Sequence, residues 1–368
     1  MLHRLFLLCL LLSCFLFPAV AFGEHKGLYV SSLRSFYIDK GGILWGWGGL
    51  AGLGYHDAED PVPILPGVKD FARGAGEYLL VRQDGTLWQM TSPGIDRGIT
   101  LTQLTLPDGV SVSRIFSFNA GCFALDENKN LWGWGDKTAS DLLPGPRKAR
   151  TKPRILLSGI KLFVYDFSGH LLALLENGEL LAWGANTCGA LGDGTTRNSN
   201  KPRKVLSGKL NPTYITALAT RPAQSMAITD NGELWSWGKS FDAEYYAYDT
   251  LRSDDSALAE TCDSQNLLPQ KNDDWHDVAG IMGHHHSTLI YYVKQKDGKL
   301  WKWAPYLKQR ELMFENVEAM TDDRMSQLVL KKDGTLWFWK SLQVNSLKQI
   351  TFPKDNNIVP LYSWPSDN

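Results

Sequence analysis

Residues Asn231-Gly232-Glu233-Leu234-Trp235-Ser236-Trp237 are one copy of a short motif that decides the fold of this 368-residue chain. The motif occurs seven times, at residues 42–47, 84–90, 130–134, 177–183, 231–237, 297–303 and 333–339. These copies contain twelve of the fourteen tryptophans. The tryptophan content is therefore a property of the repeat, and the sequence is that of a repeat protein.

Five copies place an Asp-Gly or Asn-Gly pair between two apolar runs. This pattern is typical of a two-residue type I′ turn, in which both central residues have positive φ, so each repeat is expected to be a β-hairpin. The strand before the turn is predicted at residues 78–81, 122–125, 171–175, 225–228, 288–293 and 327–330. After the turn, Leu points to one face of the sheet and the two Trp of Leu-Trp-x-Trp point to the other. Sheets that are apolar on both faces must lie between neighbours, which favours blades arranged around an axis.

The spacing of the copies favours a closed ring over an open array. Successive motif ends are separated by 43, 44, 49, 54, 66 and 36 residues, and the residues outside the first and last motif ends, counted from residue 22, number 55. The two chain ends therefore amount to one further period, and an open array is expected to carry extra capping material. We predict an all-β, seven-bladed β-propeller over residues 22–368, closed by pairing of the N- and C-terminal strands in one shared blade.

The fourth copy carries a resemblance to a known family. It continues as Trp183-Gly184-Ala185-Asn186-Thr187-Cys188-Gly189-Ala190-Leu191-Gly192-Asp193-Gly194. This run is similar to the motif of the regulator of chromosome condensation family of seven-bladed propellers, and Gly52-Leu53-Gly54 in the first copy is similar to its end. The resemblance implies the fold. Nuclear members exchange nucleotide on a small GTPase, whereas bacterial exported relatives are binding proteins that include inhibitors of secreted enzymes.

The N-terminus has the pattern of a secretory signal peptide. A basic start is followed by an apolar run from Leu5 to Phe17, then by Pro18 and Ala19-Val20-Ala21. We expect cleavage after residue 21 and an exported protein, periplasmic or secreted, which fits the exported group of the family. Two alternatives stay open: a retained membrane anchor, or lipidation of Cys14. Membrane association is expected only in those two cases.

Three cysteines remain after the leader, namely Cys122, Cys188 and Cys262. An odd number excludes a complete disulfide framework. An exported protein can still form one bridge, and Cys188 with Cys262 is the pair predicted here, since both lie outside the hairpins. The alternative is three unpaired cysteines that act as small buried hydrophobic residues.

Composition and motifs limit the function classes. The net charge is −1, so no basic excess points to nucleic acid. His284-His285-His286 is not predicted to bind metal, because consecutive strand residues point to opposite faces. Gly46-Trp47-Gly48-Gly49-Leu50-Ala51 lies at a hairpin end rather than in a βαβ unit, which argues against a dinucleotide cofactor. No local catalytic motif is present, so we expect no cofactor and no enzymatic activity.

The most individual stretch is residues 239–277, which make the fifth spacing the longest. Loops carry function more often than scaffolds do, and tyrosines suit protein interfaces. We predict an exported, non-catalytic propeller that binds another protein on one end face or through this blade-linking insertion. The predicted contact residues are Phe241, Tyr245, Tyr246, Tyr248, Asp254 and Asp255. The alternatives are a solvated insertion without a binding role, and a secreted hydrolase or lyase with its site at the central channel.

Overall fold

A computed structural model describes most of the chain between residues 27 and 365. The described residues are 27–31, 34–53, 58–73, 78–92, 98–118, 121–135, 150–165, 169–241, 262, 264–283, 290–322, 326–340, 346–353 and 360–365. They form seven antiparallel sheets of four strands each. The predicted seven-bladed β-propeller is confirmed.

Each blade is built from four strands that are consecutive in the chain. Blades 1 to 3 comprise β1 (Leu28–Ser31), β2 (Arg34–Ile38), β3 (Leu44–Gly48), β4 (Ala58–Leu65); β5 (Val68–Arg73), β6 (Tyr78–Arg82), β7 (Leu87–Thr91), β8 (Thr100–Leu104); and β9 (Val112–Phe118), β10 (Gly121–Asp126), β11 (Leu131–Gly135), β12 (Arg150–Leu157). Blades 4 and 5 comprise β13 (Ile160–Tyr165), β14 (His170–Leu175), β15 (Leu180–Gly184), β16 (Ser199–Lys204); and β17 (Ile215–Arg221), β18 (Gln224–Thr229), β19 (Leu234–Gly238), β20 (Gln270–Asn272). Blades 6 and 7 comprise β21 (Val278–Gly283), β22 (Tyr291–Gln295), β23 (Leu300–Ala304), β24 (Gln309–Phe314); and β25 (Val317–Asp322), β26 (Ser326–Lys331), β27 (Leu336–Lys340), β28 (Lys348–Ile350).

The first strand of each blade faces the axis and the fourth lies at the rim. First strands of neighbouring blades contact each other, as β5 does β9, β13 does β17, β17 does β21 and β25 does β1. Fourth strands such as β8, β16 and β24 are largely exposed. Short 3-10 turns lie at Leu50–Leu53, Pro107–Gly109, Thr187–Gly189, Pro212–Tyr214, Ser264–Leu267 and Pro305–Leu307.

The core is divided among the junctions between blades. Seven clusters of buried apolar residues are found in the described part of the chain, one at each junction. At the junction of blades 5 and 6, Leu234 of blade 5 shares a cluster with Trp301 and Trp303 of blade 6. The Leu face of one hairpin therefore packs against the Trp face of the next, as the alternation along Leu-Trp-x-Trp predicts.

The hairpin turns differ from the predicted type I′ geometry. In blade 2, the amide of Gly85 donates to the carbonyl of Arg82 (2.9 Å), and the amide of Arg82 donates to the carbonyl of Thr86 (2.9 Å). Gly85 has φ +84, whereas Asp84 is not among the residues with positive φ. These are three-residue loops with a left-handed glycine at the third position. Asp84 uses its carboxylate to accept from the amide of Thr86 (2.9 Å), so its role is hydrogen bonding rather than positive φ.

The ring closes without the predicted shared blade. Blade 1 is formed entirely by residues 28–65 and blade 7 by residues 317–350. Each chain end completes its own blade, because β1 and β2 precede the first motif and β28 follows the last motif. Blades 1 and 7 meet through an apolar cluster that includes Val30, Trp47 and Leu328. The C-terminal segment also contacts blade 1 at the rim, where the amides of Leu361 and Tyr362 donate to the carbonyls of Pro63 and Ile64 in β4 (2.8 and 2.9 Å).

No α-helix long and apolar enough to cross a membrane occurs among the described residues. The predicted leader, including Cys14 and the cleavage point after residue 21, lies outside them.

Candidate interaction surface

The two end faces of the propeller are built differently. One face, named here the turn face, carries the hairpin turns between second and third strands and the connections from blade to blade. The opposite face, named here the connection face, carries the connections between first and second strands and between third and fourth strands. The longest of these joins β19 to β20 in blade 5. This connection lies within one blade. The predicted insertion at residues 239–277 therefore contains the connection, the rim strand β20 at residues 270–272, and the link to blade 6 at residues 273–277.

Phe241 fixes the start of this connection. Its side chain is 7% exposed and lies in the cluster between blades 5 and 6. Its ring centroid is 4.9 Å from that of Tyr291 and 4.9 Å from that of Trp303, both in blade 6. Phe241 was predicted as a partner contact, and the structure corrects this. The side chain is an anchor in the core, because burial removes it from the surface that a partner meets.

A disulfide fixes the other end. Cys262 is bonded to Cys188, with 4.9 Å between their Cα atoms, and this is the pair selected from the sequence. Cys188 belongs to the connection between β15 and β16 of blade 4. The turn at Ser264–Leu267 continues the contact, since it packs against β19 and against the turn at Thr187–Gly189.

The two anchors lie on opposite sides of blade 5. Phe241 is held by blade 6 and Cys262 by blade 4, so the 20 residues from 242 to 261 join two points on either side of blade 5. Tyr245, Tyr246, Tyr248, Asp254 and Asp255 fall on this segment and lie outside the described residues. The structure thus locates both ends of the predicted contact segment on the connection face.

The sequence reasoning missed what holds Cys188 in place. Asn186 is fully buried, and its Oδ1 accepts from the amide of Leu191 (2.8 Å) while its Nδ2 donates to the carbonyls of Thr195 (2.9 Å) and Arg197 (3.1 Å). The carbonyl of Ala190 then accepts from Ser225 Oγ (2.7 Å) and Trp237 Nε1 (2.9 Å) in blade 5. The Asn-x-x-Gly-x-Leu-Gly run quoted from the fourth copy is the signal for this network, which makes blade 4 a rigid support for the disulfide.

The buried carboxylate of Asp70 near the axis has a structural role. It accepts from the hydroxyl of Tyr29 in blade 1 and from the amide of Ile115 in blade 3 (2.8 Å), and it therefore links three blades. Burial raises the pKa of Asp70 above its ordinary value. Across the described residues, no three His, Cys, Asp or Glu side chains are grouped so that they hold a metal ion. His284, His285 and His286 are outside that part of the chain.

One family model matches the chain. Residues 177–227 match the regulator of chromosome condensation (RCC1) repeat. The match runs from the hairpin turn of blade 4 to the second strand of blade 5, and it contains both Asn186 and Cys188. The resemblance stated from the fourth copy is confirmed at the level of the repeat. A search of curated proteins finds no significant match.

Solved propellers share the fold at low sequence identity. Human WBSCR16 is similar with a TM-score of 0.62 at 15% identity, over 84% of this chain and 94% of that protein. Prp20p from Saccharomyces cerevisiae gives 0.59 at 16% identity, over 80% and 79%, in a study of its binding to Gsp1p and histones. Yeast RCC1 (Prp20) with Kap60 bound gives 0.52 at 15% identity, over 85% and 69%. The likeness shows the fold.

Proposed function

We propose that this chain is an exported, non-catalytic propeller that binds another protein through residues 242–261 on the connection face. The observation that carries the proposal is the fixation of this segment at both ends, by Phe241 in the core and by the Cys188–Cys262 disulfide. A scaffold of seven blades holds the two ends in place, and the segment between them is free to differ in sequence from the repeat.

Fixed ends favour binding because they lower its entropic cost. Ordering a loop on a partner costs free energy for each residue that becomes immobile, and a loop whose ends are already fixed loses less. The segment contains Tyr245, Tyr246 and Tyr248, and tyrosine supplies large contact area with few rotatable bonds. Anchoring and composition therefore support the same role.

Propellers of similar fold are described as protein binders. Prp20p is studied for binding to Gsp1p and histones, and yeast RCC1 (Prp20) is seen with Kap60 bound. These facts concern those proteins. For this chain they support the class of function, which is protein binding. The segment proposed here to contact the partner is residues 242–261.

The disulfide also supports export. Disulfides persist in oxidising compartments and are rare where thiols are kept reduced. A bonded Cys188–Cys262 pair agrees with the leader predicted at residues 1–21. Mass spectrometry of the mature protein tests this part directly. A first residue at position 22 supports export with cleavage after residue 21. An intact N-terminus or a lipidated Cys14 contradicts that cleavage and supports a membrane-anchored protein instead.

The binding role is tested by affinity capture followed by measurement with the purified partner. A variant with Tyr245, Tyr246 and Tyr248 replaced by Ser is expected to bind at least about 30-fold more weakly, because interface tyrosines are frequent hot spots worth about 2 kcal/mol or more. The matched control replaces exposed Tyr214, on the turn face, by Ser. Equal affinity of the triple variant and the control contradicts the proposal.

A further inference from the structure

A polar cluster lies at the junction of blades 5 and 6 on the connection face. Arg221 ends β17, and its guanidinium lies 4.4 Å from the ring centroid of Tyr291 in blade 6. A Cβ placed on Gly283 would overlap this guanidinium, so Arg221 also lies against the end of β21. The hydroxyl of Tyr291 donates to Oε1 of Gln224 (2.7 Å). Arg221 and Gln224 therefore meet through Tyr291.

A second cation belongs to the same cluster. Lys239 follows β19, is 8% exposed, and its amide donates to the carbonyl of Ala223 beside Arg221 (2.7 Å). Burial, together with the charge of Arg221, lowers the pKa of Lys239 to about 7. Two cationic side chains thus share a region with little access to water.

A neutral donor completes the cluster. Gln224 is 2% exposed, and its Nε2 has no hydrogen-bond partner among the described residues. A buried polar group without a partner is unfavourable, and a bound acceptor removes that cost.

We propose that Arg221, Lys239 and Gln224 form a binding site for a carboxylate. A carboxylate is an acceptor with two oxygens and about four lone-pair positions, and it matches a guanidinium, an ammonium and an amide N–H. Its single charge carries a lower desolvation cost than the charge of a phosphate dianion in a site that is mostly buried. This proposal does not rest on the binding function proposed above, because it is argued from the side chains of the cluster alone.

The carboxylate has two possible sources. Residues 242–261 begin three positions after Lys239 and contain six acidic residues and one basic residue, Arg252. The acidic residues are Asp242, Glu244, Asp249, Asp254, Asp255 and Glu260. The other source is a separate molecule, either a small organic acid or a carboxylate of a bound protein. The chemistry is the same in both cases, and the experiment distinguishes them.

Sodium acetate is the probe, titrated into the mature chain at pH 6 and constant ionic strength, where Lys239 is mostly protonated. The readout is the NMR signals of the Gln224 side-chain amide and the Lys239 backbone amide. Four proteins are compared: wild type, Lys239→Met, the control Lys271→Met, and a chain whose six acidic residues in 242–261 are changed to amides. Lys271 is an exposed lysine of the same blade that pairs with Glu233.

Acetate binding by the wild type supports an external source. Binding only by the amide variant supports the chain's own segment. In either case, both lysine substitutions are introduced in the background that binds acetate. Lys239→Met is expected to weaken acetate binding about 10-fold or more, because a hydrogen bond from a charged group is lost. The control Lys271→Met is expected to leave acetate binding unchanged. Absence of binding in both backgrounds, equal binding by the two lysine variants, or a preference for inorganic phosphate over acetate would overturn the proposal. Unchanged melting temperatures verify that the variants fold.

Discussion

At the scale of single residues, the repeat motif provides specific hydrogen bonds as well as two apolar faces. In blades 1, 2, 3, 6 and 7 the first Trp of the motif donates its indole N–H back to the hairpin turn. Trp45 donates to Asp39 Oδ2 (2.8 Å), Trp88 to Thr86 Oγ1 (2.7 Å) and Trp301 to Gln295 Oε1 (2.8 Å). The indole N–H is thereby satisfied while the ring packs between two blades, which explains why a polar residue near the turn accompanies each of these tryptophans.

Substitution of Asp126 tests the importance of this hydrogen bond in blade 3. It is buried and accepts from Trp132 Nε1 (2.8 Å) and from the amide of Asn130 (2.8 Å). Asp126→Ala leaves the buried indole N–H of Trp132 and the half-buried amide of Asn130 without this acceptor, and it is expected to lower the free energy of unfolding by about 2–4 kcal/mol. Asp126→Asn keeps one acceptor and is expected to cost roughly half as much. Chemical denaturation measures both, and equal losses contradict the assignment.

At the scale of the element, the hairpin turn joins one blade to the next. Val278 at the start of β21 donates its amide to the carbonyl of Gly232 in the turn of blade 5 (3.0 Å). Val68 and Val112 make the same contact with Gly42 and Gly85 (2.8 Å each). A glycine at this position therefore serves both the left-handed conformation and the close approach of the neighbouring blade.

Two glycines with the same φ allow the effect of the left-handed conformation to be measured separately from the effect of the contact with the neighbouring blade. Gly232 and Gly334 both have φ +85, but a Cβ on Gly232 would lie 2.6 Å from Asp277 Cα, while a Cβ on Gly334 meets no atom within 4 Å. Gly334→Ala is expected to cost about 1–2 kcal/mol from backbone strain. Gly232→Ala is expected to cost about 1–3 kcal/mol more, because the neighbouring blade must shift. Thermal unfolding measures the loss of stability in each variant. Identical losses would contradict a contribution from the contact between Gly232 and Asp277.

The disulfide is the second element with a measurable effect. It joins positions 74 residues apart, and closing a loop of that length in the unfolded chain is worth about 4 kcal/mol. The double change Cys188→Ser and Cys262→Ser is expected to lose about that much. Cys122→Ala, at the buried cysteine outside the disulfide, is expected to lose only about 1 kcal/mol. If the double variant unfolds like the wild type, the segment is not held by the disulfide.

The sequence predicted the elements that depend on local patterns and missed those that depend on distant contacts. Alternation in Leu-Trp-x-Trp predicted both apolar faces, and Asx-Gly pairs predicted the hairpins. The turn geometry differed because Asp84 satisfies a backbone amide instead of adopting positive φ. Burial of Phe241 depends on Tyr291 and Trp303, which are 50 or more residues away, so no local pattern indicated it.

At the scale of the whole molecule, the ring is closed by two contacts of different kinds. The apolar cluster between blades 1 and 7 is the same kind of junction as the other six. Residues 360–365 add a C-terminal strap across blades 1 and 2. Tyr362 donates its hydroxyl to the carbonyl of Leu53 (3.1 Å), and Trp364 donates its indole N–H to the carbonyl of Pro66 (2.6 Å). The ring of Trp364 also packs against Trp88, with 5.2 Å between centroids.

Removal of the strap tests its part in closure. Deletion of residues 360–368 is expected to lower the free energy of unfolding by about 2–4 kcal/mol, through loss of the hydrogen bonds and of the tryptophan pair. Deletion of residues 366–368 alone retains Tyr362 and Trp364 and is expected to change little. Calorimetry compares the two, and a shared melting temperature shows that the apolar junction suffices.

The central claim is that the propeller is a scaffold and that residues 242–261 carry its function. The most direct measurement is the Kd for the captured partner of two matched variants. One replaces residues 242–261 by a short Gly/Ser linker and keeps Phe241 and Cys262. The other replaces residues 137–148, in the corresponding third-to-fourth-strand connection of blade 3. We expect the first to lose at least about 100-fold in affinity, the sum of a few hot-spot contacts, and the second to bind like the wild type. Equal Kd values for the two variants would contradict the claim.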